Sequence, residues 1–300
     1  MALAYTEVSK NKMRSILLLL IFFVFVMGAG FIIGELNAPG AGMGGLIVAA
    51  VISFGWTLIS YFAGDKITLS ASKAKPIEKK DQPELYRTVE NLAITAGLPM
   101  PKLYLIDSPA MNAFATGRDP EHAIVAVTTG ILKRLEKREL EGVLAHELSH
   151  VGNYDIRLLM LVTALAGVIM IMTDMMWRIR LFGGGGGRRD GRAQLVMAVV
   201  GLVLIIFAPL FASMIKMAIS RKREYLADAS GALLTRYPEG LASALEKISG
   251  DHSQLKQATK GTAHLYISNP FKSGAWHNLF STHPPIEERI KALRGMDTSH

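Results

Sequence analysis

Cysteine is absent from the 300 residues of this chain. That excludes disulfides and thiolate ligands, so any metal would have to be held by His, Asp or Glu; it does not identify a compartment. Charge is scarce as well. Charged residues make up 19% of the chain against 50% hydrophobic, and the mean hydropathy is positive, which is high for a soluble protein. The cause is four runs with no charged residue: Ile16–Ile33, Leu46–Ala63, Leu158–Met172 and Leu195–Ile215. About 20 helical residues cross a bilayer core, so the first and fourth suffice outright. The second is softened by Ser, Thr and Gly, and the third is short, with Asp174 just beyond it. The first is too long for a signal-peptide core and no small-residue cleavage site follows, so it reads as a retained span. No internal repeat is evident.

Charge placement orients these spans. Lys10, Lys12 and Arg14 precede the first, the loop 34–45 carries Glu35 and no Lys or Arg, and Lys66, Lys73, Lys75, Lys79 and Lys80 follow the second. The positive-inside rule then puts the N-terminus and the chain after residue 65 in the cytoplasm. The net charge of +8 needs no nucleic-acid partner, because much of it lies in juxtamembrane clusters suited to an anionic bilayer. One feature disagrees. The link between the third and fourth runs carries Arg178, Arg180, Arg188, Arg189 and Arg192 around five consecutive glycines. Either the first two spans dominate orientation, or the 156–219 hairpin does not fully cross.

What is present is a chemical motif, His146-Glu147-Leu148-Ser149-His150. Leu140, Val143, Leu144, Leu148 and Val151 recur at helical steps, so the motif sits on an amphipathic helix. Residues four apart share a helix face, so His146 and His150 can offer two imidazole nitrogens to one ion. Glu147, one step round, falls beside the ion without binding it, where a general base belongs. Alone, H-E-x-x-H is weakly specific. A third ligand is available in Glu224, and two His plus one carboxylate with an open position make a catalytic zinc set rather than a structural one. Asp228 lies four residues on, placed to support the ligands. Spacing alone leaves His252, His264, His277 and His283 as rival third ligands, and Glu224 with Asp228 as an ordinary charged surface beside Arg221–Arg223.

The remaining chain reads as α+β, mostly α with a small sheet. Expected elements are a helix over Glu84–Ala96, strands at Leu103–Ile106 and Ala123–Val127, helices near Glu224–Leu234 and Gly240–Ile248, and a last helix started by Pro284-Pro285. Between the strands, 108–117 is expected to be extended beside the cleft, where a peptide could add as a strand. The organisation is then 1–65 as a two-span membrane region, 66–155 as the first catalytic part, 156–219 as a hydrophobic hairpin, and 220–300 as the second catalytic part. The hairpin must return to its starting side, because the zinc helix and Glu224 flank it and must meet.

The ordered set of two spans, Asn112-Ala-Phe-Ala-x-Gly117, His146-Glu-x-x-His150, hydrophobic hairpin, Arg223-Glu224-x-x-Ala-Asp228 and His283-Pro-Pro resembles the HtpX family nearly end to end. These are membrane-integral zinc endopeptidases, the bacterial heat-shock membrane proteases, related to the prenyl-protein endoproteases. The resemblance implies a gluzincin-like core with about four membrane helices and one Zn²⁺ per chain held by His146, His150 and Glu224. It also implies a cytoplasmic active site on the inner membrane, cleaving misfolded or surplus membrane proteins, with possible cooperation with another membrane protease. Carried over residue by residue, Glu147 becomes the base, Asn112 and His283 cleft residues able to polarise the scissile carbonyl, and Arg289 a partner for Asp228. A protease for prenylated peptides and a non-enzymatic adaptor with a helix-clamping zinc remain the rivals.

Overall fold

The computed structural model describes residues 2–161, 221–255, 258, 262, 265–268 and 284–296. The greater part of the expected hairpin, and His264, His277 and His283, lie outside them. Two long helices lead, α1 (Ala2–Asn37) and α2 (Gly42–Ala71). Their apolar stretches, Ser9–Ile32 with 24 residues and Gly42–Ala71 with 30, each exceed the length needed for a hydrocarbon core of about 30 Å. They pack together through small residues. A Cβ on Gly45 would strike the backbone of Gly30 and Gly34, so the helices approach as closely as glycine allows. Their outer faces stay bare: Val24 and Val51 are each 68% exposed, with Leu20, Ile52 and Phe54 beside them. An apolar surface of this extent requires lipid or protein cover.

After the two long helices come β1 (Lys75–Pro76), then α3 (Pro83–Ala96), β2 (Lys102–Ile106), β3 (Ala113–Thr116) and β4 (Ile124–Thr128). Sheet order is β1-β2-β4-β3. β2 and β4 run parallel, with Leu103 opposite Val125, while β1 and β3 are antiparallel to their neighbours. β3 is therefore an edge strand of a mixed sheet. α4 (Thr129–Arg134) starts on Thr128, whose hydroxyl accepts from Ile131 N at 3.2 Å. α5 (Lys137–Gly152) follows, then helical residues 155–161, α6 (Arg221–Thr235), α7 (Pro238–Ser249) and α8 (Ile286–Arg294).

One core joins residues from before position 161 with residues from after position 221. Val89, Leu103, Val125, Val127, Val143, Leu144, Leu148, Leu241, Leu245, Ile248 and Leu293 are buried in a single cluster. Burying aliphatic side chains of this size stabilises by roughly 1.5–3 kcal/mol each before the entropy of ordering them. α5 runs through the middle, which is why its motif side chains are buried along with its apolar ones.

Candidate metal centre

α5 starts on a reciprocal cap. The Glu136 carboxylate accepts from the Glu139 amide, and Glu139 Oε2 accepts from Glu136 N at 2.7 Å, so two amides that a helix start leaves without partners are satisfied. Two turns on, His146 and His150 present Nε2 atoms 3.2 Å apart. Glu224, from the first turn of α6, places Oε2 3.8 Å from His146 Nε2 and Oε1 3.7 Å from His150 Nε2. Gly231 permits that approach, since a Cβ there would stand 3.0 Å from His146 N. The three donor atoms lie within 4.8 Å of one another, and all three residues are buried. A tetrahedral zinc with ligands at about 2.0–2.1 Å wants donors about 3.4 Å apart. The cluster fits such an ion and leaves one of four positions open. His252, a rival on spacing, is exposed and outside the cluster.

Each imidazole is backed by a carboxylate on its other nitrogen, the arrangement that fixes ring orientation and tautomer in metal sites. His146 Nδ1 stands 2.9 Å from Asp228 Oδ1, in a short but poorly aligned contact. Asp228 in turn receives both arms of the fully buried Arg289, Nε to Oδ2 at 2.8 Å and Nη2 to Oδ1 at 2.7 Å. Arg289 Nη1 reaches to 3.6 Å from Glu224 Oε2. Burial opposes ionisation of Asp228, but the Arg289 guanidinium overrides it and holds the carboxyl at about 2. His150 Nδ1 pairs with Asp155 Oδ2 at 3.0 Å. Burial disfavours the His150 imidazolium, yet the Asp155 hydrogen bond and the charges of Glu224, Asp155 and Glu147 raise its pKa to about 9 in the metal-free protein.

Glu147 is 2% exposed, and it lies against β3. Burial is the main cause lifting its carboxyl above the ordinary carboxylate range, with Glu224 adding to it; the two histidines and the Ala115 amide pull the other way. A carboxylate so placed takes up a proton more readily than one in water. Asn112 precedes β3, and its side chain is turned to the chain beyond α7: Nδ2 donates to Ser268 O at 3.0 Å, and Oδ1 accepts from Ser268 N at 3.4 Å. Ile267 N donates to Ala113 O at 3.0 Å. The Ala113 carbonyl thus faces off the sheet, and Ala115, two residues on, points its polar groups the same way.

Four contributors were given no role from sequence. Asp155 holds His150; Arg223 Nη1 stands 3.2 Å from Asp155 Oδ1, and Asn11 Nδ2 donates to the same oxygen at 2.7 Å. Asp251 binds Arg134 through both oxygens and accepts from Met111 N at 2.6 Å, which fixes the loop entering β3. Two of them left a signal: Asp155 as an acidic residue directly after the motif helix, and Arg223 as the residue that opens the motif Arg223-Glu224-x-x-Ala-Asp228.

Residues 79–297 match the description of peptidase family M48. The protein named Protease HtpX homolog of Tropheryma whipplei (strain TW08/27) is 44% identical over 292 residues, covering 97% of this chain and 98% of that one. That of Ligilactobacillus salivarius is 45% identical over 302 residues, covering 97% and 99%. The crystal structure of S. mikatae Ste24p shares the fold with a TM-score of 0.51 at 19% identity, over 98% of this chain and 67% of that chain.

Proposed function

Since the chain belongs to peptidase family M48, among the HtpX proteases, and is a metalloprotease, we propose that it is a zinc endopeptidase of the bacterial inner membrane that removes misfolded or damaged membrane proteins from the cytoplasmic side. The observation that carries this reading is the buried convergence of His146, His150 and Glu224 with Glu147 alongside.

His146, His150 and Glu224 would hold the zinc, which would supply Lewis acidity toward the scissile carbonyl and the attacking water. Glu147 takes the proton from that water and later delivers it to the leaving amine, and its raised proton affinity suits both transfers. Asp228 and Asp155 keep the two imidazoles aimed inward, and Arg289 keeps Asp228 ionised. The substrate backbone adds along the outer edge of β3 beyond Ala113, whose carbonyl Ile267 N already holds, and passes Ala115, which brings a peptide bond past Glu147. His283 donates to the developing oxyanion, a role supported by its place in the family motif. Asn112 belongs to the same motif and shapes the cleft by tying Ser268 to the strand edge; for it to donate to an oxyanion, that tie has to open.

The four-part organisation and the cytoplasmic site belong to the same proposal, with the 156–219 segment returning the chain to the side it left. Reconstitution tests the substrate reading. In liposomes carrying the enzyme and one membrane protein in folded or destabilised form, the destabilised form is cleaved at its cytoplasmic segments. Equal cleavage of both forms would remove the quality-control part of the reading.

A further inference from the structure

The turn that follows the motif helix is strained and externally held. Asn153 ends α5, and Tyr154 adopts φ 60°, a left-handed conformation uncommon for a bulky residue. That reversal brings Asp155 under His150 Nδ1, 3.0 Å away. The clamp comes from the first membrane helix. Asn11 of α1 is fully buried, and its Nδ2 donates both to Asn153 O at 3.0 Å and to Asp155 Oδ1 at 2.7 Å, on either side of the strained residue. Its Oδ1 accepts from Arg223 Nη1 at 3.2 Å, one residue before Glu224. Lys12 Nζ lies 4.5 Å from the centre of the Tyr154 ring. One amide on a membrane span therefore touches the supports of His150 and, through Arg223, the backbone neighbour of Glu224.

We propose that Asn11 is a positioning residue of the metal centre. It holds the 153–155 turn so that Asp155 can orient His150, and it makes α1 part of the active centre as well as an anchor. The inference rests on the zinc-site reading above. Neither Coulombic attraction nor burial alone explains the arrangement, because a neutral side chain in an apolar helix costs free energy when desolvated unless every polar atom is matched. Asn11 matches donor and acceptor at once.

The test uses the full-length protein in detergent, loaded with Zn²⁺, with zinc release to a chromophoric chelator as the readout. Asn11→Ala and Asn11→Asp are expected to release zinc roughly 10–100-fold faster, the range seen when outer supports of metal ligands are removed. The thermal midpoint of the metal-free protein should change far less than that of the loaded one. In an Asp155→Ala background, Asn11→Ala should add little, because the effect runs through Asp155. Release within twofold of wild type in both variants, or effects that simply add in the double variant, would overturn the inference. So would equal destabilisation of metal-free and loaded protein with unchanged zinc release. Wild-type protein that binds no zinc would instead overturn the zinc-site reading.

Discussion

At the scale of single residues, the centre is built from pairs in which one group is useful only because another holds it. Arg289 and Asp228 show this most clearly: both are buried, and each is the other's main compensation. Replacing Asp228 by Ala leaves a buried guanidinium without its anion, so a loss of about 3–5 kcal/mol of stability is expected, together with weaker zinc binding; chemical denaturation and a zinc titration check the two. His150 makes a pH prediction. Its folded pKa of about 9 lies above the ordinary 6.5. In the metal-free protein the protonated ring therefore contributes stability that is complete below about 6.5 and is lost as pH rises through about 9. Zinc must displace that proton, so apparent zinc affinity should climb by up to about tenfold per pH unit from 7 and level off near 9. Isothermal titration in buffers of different ionisation enthalpy reads the proton released. A flat affinity profile between pH 7 and 9 would mean that His150 is not held protonated.

At the scale of elements, the site depends on how closely α6 can lie against α5. Gly231 sets that distance at the His146 backbone. Gly231→Leu should push α6 outward, at about 1–3 kcal/mol of overpacking, and move Glu224 and Asp228 away from the histidines. Zinc affinity should fall while the helical circular dichroism is kept. This scale also shows what could be read in the chain beforehand. The helix bearing His146 and His150 was legible because its apolar residues repeat with the helical period, and α3, β2, β4, α6 and α7 appear within a few residues of where pattern placed them. β1, with two residues, is too short to leave a pattern. Asn11 was illegible for a deeper reason: its partners stand 142 to 212 positions away, and no local propensity reports on a contact made by tertiary packing. The direction of the Asn112 amide escaped for the same reason, since Ser268 lies 156 positions on.

At the scale of the whole molecule, the proposed cytoplasmic site requires residues 66–155 to lie on the side to which α2 returns the chain. The absence of cysteine makes this directly measurable. A cysteine placed at Pro39, in the exposed turn between α1 and α2, should react with a membrane-impermeant maleimide in intact spheroplasts, and one at Lys79 only after permeabilisation. The reverse pattern would place the active site on the outer side. Mutual dependence of α1 and the site is the larger expectation, because α1 reaches Asp155, the partner of His150, through Asn11.

Zinc content and cleavage of casein or a membrane-protein substrate, measured side by side, decide whether Glu147 is the base of a zinc endopeptidase. Wild type and Glu147→Gln would be purified in detergent under chelator and then given Zn²⁺. Both proteins should carry one zinc ion per chain, with cleavage by wild type and a loss of at least about 10²-fold in the variant, the scale expected when a general base is removed. A zinc-loaded Glu147→Gln with wild-type activity would contradict the mechanism, and a zinc-loaded wild type inert toward both substrates would contradict the enzyme itself.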